Sequence, residues 1–319
     1  MKSGFVAVVG RTGVGKSTLT NSLVGTKVSI VSKHPNTTRA PIQGVLHRPG
    51  VQAVFVDTPG FHRPRTRLGE RLNDAAGVAL TGVDITVMVV DATAPVGPGD
   101  RRVAERLGAF SPAASPGSAD CAAPAEMHGE DSGIAPVSPL TESRPPVLCV
   151  VNKIDRATRS LLVQQLAAVS EWDFDEYFPV SAATGEGLDT LVEAIASRLP
   201  VGPAYYPDGV VSDTPEAGWV AELVREAFLK QVRAELPHAL ACRVTDWDGP
   251  YIRCEVLVER ESQKAIVVGR NGRVLKQAGI IAREQLPEGT YLDLVVKVAK
   301  DWQSRDDMID RFGYGVGPD

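Results

Sequence analysis

The sequence predicts an α/β domain with a buried, mostly parallel sheet, followed by a small α+β domain. Three observations lead there. First, Gly10-Arg11-Thr12-Gly13-Val14-Gly15-Lys16-Ser17 sits between a short apolar run, Phe5 to Val9, and a segment with helical spacing. Second, apolar runs recur at 51–56, 84–91, 147–151 and 178–180, and each gives way to polar residues, as buried parallel strands do. Third, a stretch rich in Pro, Gly and Asp at 200–215 is followed by a different order, α-β-β-α-α-β.

At 319 residues the chain has room for about two domains with cores of their own. Its net charge of −5 carries no global basic signature, so any nucleic-acid surface must be local. The four cysteines (Cys121, Cys149, Cys242, Cys254) show no C-x-x-C pair and no histidine at metal spacing, which suits a reducing cytoplasm; Cys149 falls in an apolar run and reads as core. The first strand is entered by Phe5, leaving no room for a signal peptide, and no apolar run reaches 18 residues.

The loop at Gly10–Ser17 fits G-x-x-x-x-G-K-[ST]. Gly10, Gly13 and Gly15 let the backbone curl with its N–H groups inward, toward a polyphosphate at the positive end of the next helix. Lys16 is placed to reach the β- and γ-phosphates, Ser17 to give a hydroxyl to Mg²⁺, and Thr18 to open the helix beside them. A glycine turn with an incidental lysine is the plainer alternative, and the placement between strand and helix argues against it. The polar segment 27–44 holds Pro35-Asn36-Thr37-Thr38-Arg39, where Thr38, ahead of Thr37, is the candidate second hydroxyl for Mg²⁺. The strand at 51–56 ends in Asp57-Thr58-Pro59-Gly60. Asp57 is placed to hold the Mg²⁺ hydration shell and Gly60 to sense a γ-phosphate by close backbone approach.

A helix is predicted over 99–110. Residues 111–146, rich in Ala, Pro, Ser and Gly with five acids against Arg144 alone, read as a disordered insertion. The strand at 147–151 leads into Asn152-Lys153-Ile154-Asp155. The Asp155 carboxylate can accept both N1–H and N2–H₂ of guanine, a donor pair that adenine lacks. Asn152 braces the neighbouring loops and the Lys153 stem lies along the base plane. After 178–180, the small residues Ser181 and Ala182 let backbone N–H groups approach guanine O6, and a helix follows with Leu188, Leu191, Ile195 and Leu199 on one face.

In the second domain a helix is predicted over 216–236, strands over 239–244 and 251–258, a helix over 273–286 broken near Gly279, and a last strand over 291–298. Gly269-Arg270-Asn271-Gly272 is a G-x-x-G loop at the start of a helix, able to clamp a single-stranded backbone. From Ser262 to Arg283 there are five basic residues (Lys264, Arg270, Arg273, Lys276, Arg283) and no acid. Ile266, Val267, Ile280 and Ile281 are candidates to line a groove for bases. Two readings stay open: a clamp for RNA, or a module that docks a protein partner.

The order of motifs, Gly10–Ser17, Thr37/Thr38, Asp57–Gly60, Asn152–Asp155, Ser181–Ala182, resembles the Ras-like GTPase superfamily. Together with Asp57-Thr58-Pro59-Gly60-Phe61-His62 and the later G-x-x-G module, nearly the whole chain outside 111–146 resembles the Era family of GTPases. That resemblance implies a P-loop GTPase domain over 1–200 with a mixed, mostly parallel six-stranded sheet flanked by helices. It implies a linker at 201–215 and a type II KH domain over 216–319. It further implies a GTP/GDP switch with Mg²⁺ that binds 16S ribosomal RNA near its 3′ end and assists 30S subunit assembly. A cytoplasmic monomer is expected, with peripheral membrane association in some members. Two departures stand out: the insertion is longer than the family pattern, and the stretch 279–294 is short, so the second helix of the RNA module should end by Pro287. Phe61 stands where Ras-like proteins carry a Gln that positions water, so slow hydrolysis is expected, carried by Lys16, Thr38 and Gly60. A metabolic kinase is disfavoured by Asn152–Asp155 and by the lack of an acceptor site.

Overall fold

The computed structural model describes residues 1–109, 144–232 and 236–315. Strand β1 (Lys2–Val9) sits between two others, parallel to β3 (Val51–Asp57) and to β4 (Ile85–Asp91). A strand buried on both faces and both edges must be apolar throughout, and Val6 to Val9 are wholly buried. β2 (Ile42–Arg48) pairs antiparallel with β3, while β5 (Val147–Asn152) and β6 (Glu176–Val180) extend the sheet in parallel beyond β4. The order β2-β3-β1-β4-β5-β6 is the mixed, mostly parallel six-stranded sheet expected.

Helices cover both faces. α1 (Lys16–Val24) and α5 (Leu188–Arg198) pack over one cluster centred on Leu19, Phe55 and Ile195. α3 (Pro98–Arg106) and α4 (Arg159–Val169) cover the other face, with Met88, Val103 and Cys149 at its centre. Cys149 is core as predicted, and burial pushes its thiol well up in pKa. α2 (Arg67–Val78) starts at Thr66, whose hydroxyl accepts from the Gly69 N–H. The disorder expected for 111–146 falls, from 111 to 143, outside the described residues.

The segment 201–215 is a strap rather than a free tether. Gln52, buried, donates to Tyr206 O (2.8 Å) and accepts from the N–H groups of Tyr205 (2.7 Å) and Tyr206 (3.1 Å). Farther on, Val45 N–H donates to Val211 O (2.9 Å) and the Ser212 hydroxyl to Gln43 O (2.8 Å). These bonds cover the outer edge at β2.

Then α6 (Glu216–Leu229) and a short α7 (Leu236–Ala239) lead into β7 (Ala241–Asp248) and β8 (Tyr251–Val258). α8 (Glu261–Val268), α9 (Arg273–Arg283), β9 (Tyr291–Val298) and α10 (Asp306–Arg311) follow. β7 and β8 pair antiparallel, β8 and β9 parallel. α6 and α9 lie against this sheet around Phe228, Cys254 and Ala278.

Four expectations need correction. α6 ends at Leu229, earlier than Leu236, and Ala239 closes a helical turn rather than opening a strand. α9 runs unbroken through Gly279: one glycine lowers helix propensity but does not break a helix that packs on β9. Val267 is fully buried in the core and cannot touch bases. The end of α9 before Pro287 agrees with expectation. No helix among the described residues is long and apolar enough to cross a membrane.

Candidate nucleotide site and its contact with the second domain

A cavity of about 880 Å³ opens at the carboxyl ends of β1 and β3, large enough for a nucleotide. Gly13, Gly15, Lys16, Ser17 and Thr18 line it, with Thr38, Gly60 and Lys153. Glycine is required at the loop for definite reasons. Gly15 has φ +99°, and a Cβ there would lie 2.5 Å from Asn152 Nδ2. At Gly60 a Cβ would lie 2.9 Å from Lys16 Nζ and 2.8 Å from Thr12 Cα. Gly10 does not line the cavity. Its carbonyl accepts from Lys16 Nζ (3.2 Å) and from the Phe61 N–H (3.2 Å), tying the loop to the segment after Gly60.

Lys16 is buried, and that burial brings its pKa down to about 8 against the pull of Asp57. Asp57 is buried too, and burial raises its pKa against the opposing attraction of Lys16. Ser17 Oγ and Thr38 Oγ1 are 2.9 Å apart, and Thr38 Oγ1 donates to Asp57 Oδ2 at 3.2 Å. Asp57 Oδ1 is buried with no partner. Two hydroxyls and a carboxylate with an orphaned oxygen form an all-oxygen donor set that fits Mg²⁺.

On the base side Asn152 acts as a brace: its Nδ2 donates to Val14 O (3.0 Å) and its Oδ1 accepts from the N–H groups of Lys153 (2.8 Å) and Ala182 (3.0 Å). Asp155 is solvent-facing and accepts from Ser181 Oγ at 2.6 Å. Lys153 donates to Gly13 O (2.7 Å) and to Asp91 Oδ2 (2.6 Å). The pairing of Asp91 with Lys153 was missed from sequence, although an acid at the end of β4, level with Asn152 on β5, was the available signal. Phe61 turns away from the cavity and packs into the core with the Arg106 guanidinium 4.9 Å from its ring centroid.

Sequence reading also missed how the second domain grips the segment that carries Thr38. Arg39 is buried and donates to Leu240 O (2.7 Å), Pro237 O (3.1 Å) and His238 O (3.0 Å). Its guanidinium lies 5.6 Å from the Trp302 ring and 5.2 Å from Tyr314. On the other flank Arg225 of α6 donates to Thr37 O and pairs with Glu222. Burial opposes the Arg225 charge, but Glu222 beside it prevails and holds the guanidinium ionised. Glu226 accepts from Lys27 Nζ (2.7 Å) and the Val31 N–H (3.1 Å). A second seam joins α2 to α10 through Arg67–Asp306 (3.1 Å) and Arg71 with Asp310.

In the G-x-x-G loop Gly269 has φ +72° and ψ 170°, and a Cβ there would lie 2.6 Å from Val274 Cγ2. Arg270, Asn271, Arg273, Lys276 and Arg283 are exposed and Lys264 is half-buried; none of these basic residues has an ion-pair partner among the described residues. Ile266 is 57% exposed beside them.

The cavity, with its lysine, its oxygen donors and its guanine-side brace, defines the chain as a P-loop GTPase joined to a KH domain. The model of the family described as 50S ribosome-binding GTPase matches residues 5–114, and the KH domain model matches residues 235–303. The GTPase Era of Mycobacterium avium (strain 104) is 42% identical over 98% of this chain and 99% of its own length. That of Mycobacterium tuberculosis (strain ATCC 25177 / H37Ra) is 43% identical over 98% of each. This chain belongs to the Era family of GTPases. Two solved structures align over 99% of the chain at 32% identity, each covered in full. They are an Aquifex aeolicus Era variant bound to GDP·AlF₄⁻ (TM-score 0.82) and Era in complex with MgGDPNP and nucleotides 1506–1542 of 16S ribosomal RNA (TM-score 0.83).

Proposed function

We propose that the protein is a Mg²⁺-dependent GTP/GDP switch that binds 16S ribosomal RNA near its 3′ end through the KH domain and assists 30S subunit assembly. The observation that carries the switch is the position of Thr38. It stands between Thr37, held by Arg225, and Arg39, held by the carbonyls around α7. A hydroxyl that belongs to the nucleotide site is therefore set in place by the second domain.

In this reading Ser17, Thr38 and Asp57 would hold Mg²⁺, which would supply charge neutralisation at the phosphates. Lys16 leaves the carbonyls of Gly10 and Arg11 to meet the same phosphates. The Gly60 N–H reports the γ-phosphate. Phe61 has no group to orient water, so intrinsic hydrolysis is slow and main-chain groups around Thr38 and Gly60 do the positioning. Asp155 selects guanine, with Ser181 and Ala182 closing on O6. Arg270, Arg273, Lys276 and Arg283 contact RNA phosphates while Gly269 and Gly272 admit the backbone.

The test compares binding of a 16S 3′-end RNA with the GTP-analogue and GDP states. Arg270→Ala/Arg273→Ala/Lys276→Ala should weaken RNA binding about tenfold or more and flatten its salt dependence. These side chains are exposed, so the fold survives, whereas Gly269→Asp would collide with Val274. Unchanged RNA binding in the triple variant would hand the module to a protein partner. Separately, Asp155→Asn should shift preference from guanine toward xanthine nucleotides in competition binding.

A further inference from the structure

A second cavity, of about 560 Å³, opens where the two domains meet and shares Thr12 and Asn36 with the nucleotide cavity. Its walls come from 35–39, from 62–72 and, in the KH domain, from 238–239, 259–263 and Gln303. Four guanidinium groups line it, Arg39, Arg63, Arg65 and Arg260, against the single carboxylate of Glu259. None of the four has an ion-pair partner among the described residues. Neighbouring Arg67 and Arg71 do, in Asp306 and Asp310, so acids are at hand at this junction and are not spent on the cleft. The field inside is positive. His238, which also lines it, has its pKa lowered by burial and then by Arg39, His34 and His62.

The wall is also incompletely satisfied. Arg39 is 3% exposed, and its terminal nitrogens are taken by carbonyls while its Nε has no partner. Asn36 Oδ1 is buried and unpaired as well. Guanidinium groups match phosphate oxygens in fork geometry, and a buried acceptor such as Asn36 Oδ1 calls for a hydroxyl. The volume lies in the range of small-ligand sites.

We propose that this cleft is a second anion site, separate from the GTP cavity, taking a small phosphate ester of about mononucleotide size with two or more negative charges. Its walls are assembled only when the domains meet. A ligand there would hold 35–39 and 62–72 against α8, stabilising the docked arrangement by mass action and, reciprocally, binding more tightly in the nucleotide state that favours docking.

The test uses the full chain saturated with Mg²⁺ and a non-hydrolysable GTP analogue, so that the first site is filled. Sodium pyrophosphate and ATP, which Asp155 also disfavours at the guanine site, are titrated by calorimetry. One-site saturable binding is expected for wild type. It should weaken about tenfold or more in Arg63→Ala/Arg65→Ala/Arg260→Ala and hold in Arg273→Ala/Lys276→Ala. The thermal midpoint of the triple variant should be retained, because the three side chains are exposed and form no hydrogen bond or ion pair among the described residues. Absence of saturable binding at millimolar probe overturns the proposal, as does an unaffected triple variant or loss of binding in the Arg273/Lys276 variant. A triple variant that weakens RNA while wild type takes neither probe assigns the cleft to RNA backbone and also overturns it.

Discussion

The two seams between the domains are built on opposite principles. At the first, Arg39, Arg225 and Glu226 are 3%, 0% and 3% exposed, and their partners are largely main-chain groups of the other domain. At the second, α2 meets α10 through Arg67 with Asp306, both facing water, and half-buried Arg71 with Asp310, beside an apolar cluster of Leu68, Leu72 and Trp302. Buried polar bonds demand one geometry and are costly to break, while exposed ion pairs slide and reform. The seam that holds the segment carrying Thr38 is the buried one. The seam that bears on α2 is the adjustable one.

Substitutions can break or sharpen that contrast. The largest effect is expected from Arg39→Ala, which strips three carbonyls of a buried cation and empties the space between Trp302 and Tyr314. A loss of about 3–5 kcal/mol in chemical denaturation is expected, and a value typical of a surface site would erase the distinction. Next, Arg225→Ala frees Thr37 O and leaves Glu222 unmatched. It should cost about 2–4 kcal/mol and raise the Mg²⁺ concentration needed for GTP hydrolysis, a readout that a merely structural role would not move.

Acid should weaken the buried seam. Burial works against the Glu226 charge, but Lys27, the Val31 N–H and Lys230 outweigh it, and the pKa lies below its ordinary value of 4.5. A carboxylate depressed on folding gives its full stability above the unfolded value and loses it as pH falls through the folded one. Wild type should therefore lose stability below about pH 4.5 by an increment that Glu226→Gln lacks, measured by thermal melts across pH. The smallest effect is expected from Arg67→Ala/Arg71→Ala. About 1 kcal/mol or less at low salt should vanish at high salt, and a salt-independent loss would show that this seam too is a fixed one.

The sequence made the nucleotide site legible because its chemistry is local. A glycine loop, an acid at a strand end and Asn152–Asp155 each declare themselves within four to eight residues, and the structure gathers them. The two grips on Thr38 were not legible. Arg39 sat in view as the last residue of Pro35–Arg39, but its partners lie about 200 positions away, and periodicity carries no information on such pairs. Val267 was misplaced for a related reason: Ala265 to Val268 is apolar on every side, so spacing alone did not reveal which face the sheet would bury.

The strap decides how the KH domain can move against the GTPase domain. Its last anchor on the sheet is Ser212, whose hydroxyl donates to Gln43 O at 2.8 Å, and α6 begins at Glu216. Only Asp213, Thr214 and Pro215 lie between, and the proline ring fixes its own φ. The KH domain is pinned rather than leashed: it can swivel about that point, but it cannot drift off. Re-engagement of Arg225 and of the cradle for Arg39 is thus a first-order event at very high effective concentration, indifferent to how much protein the cell contains.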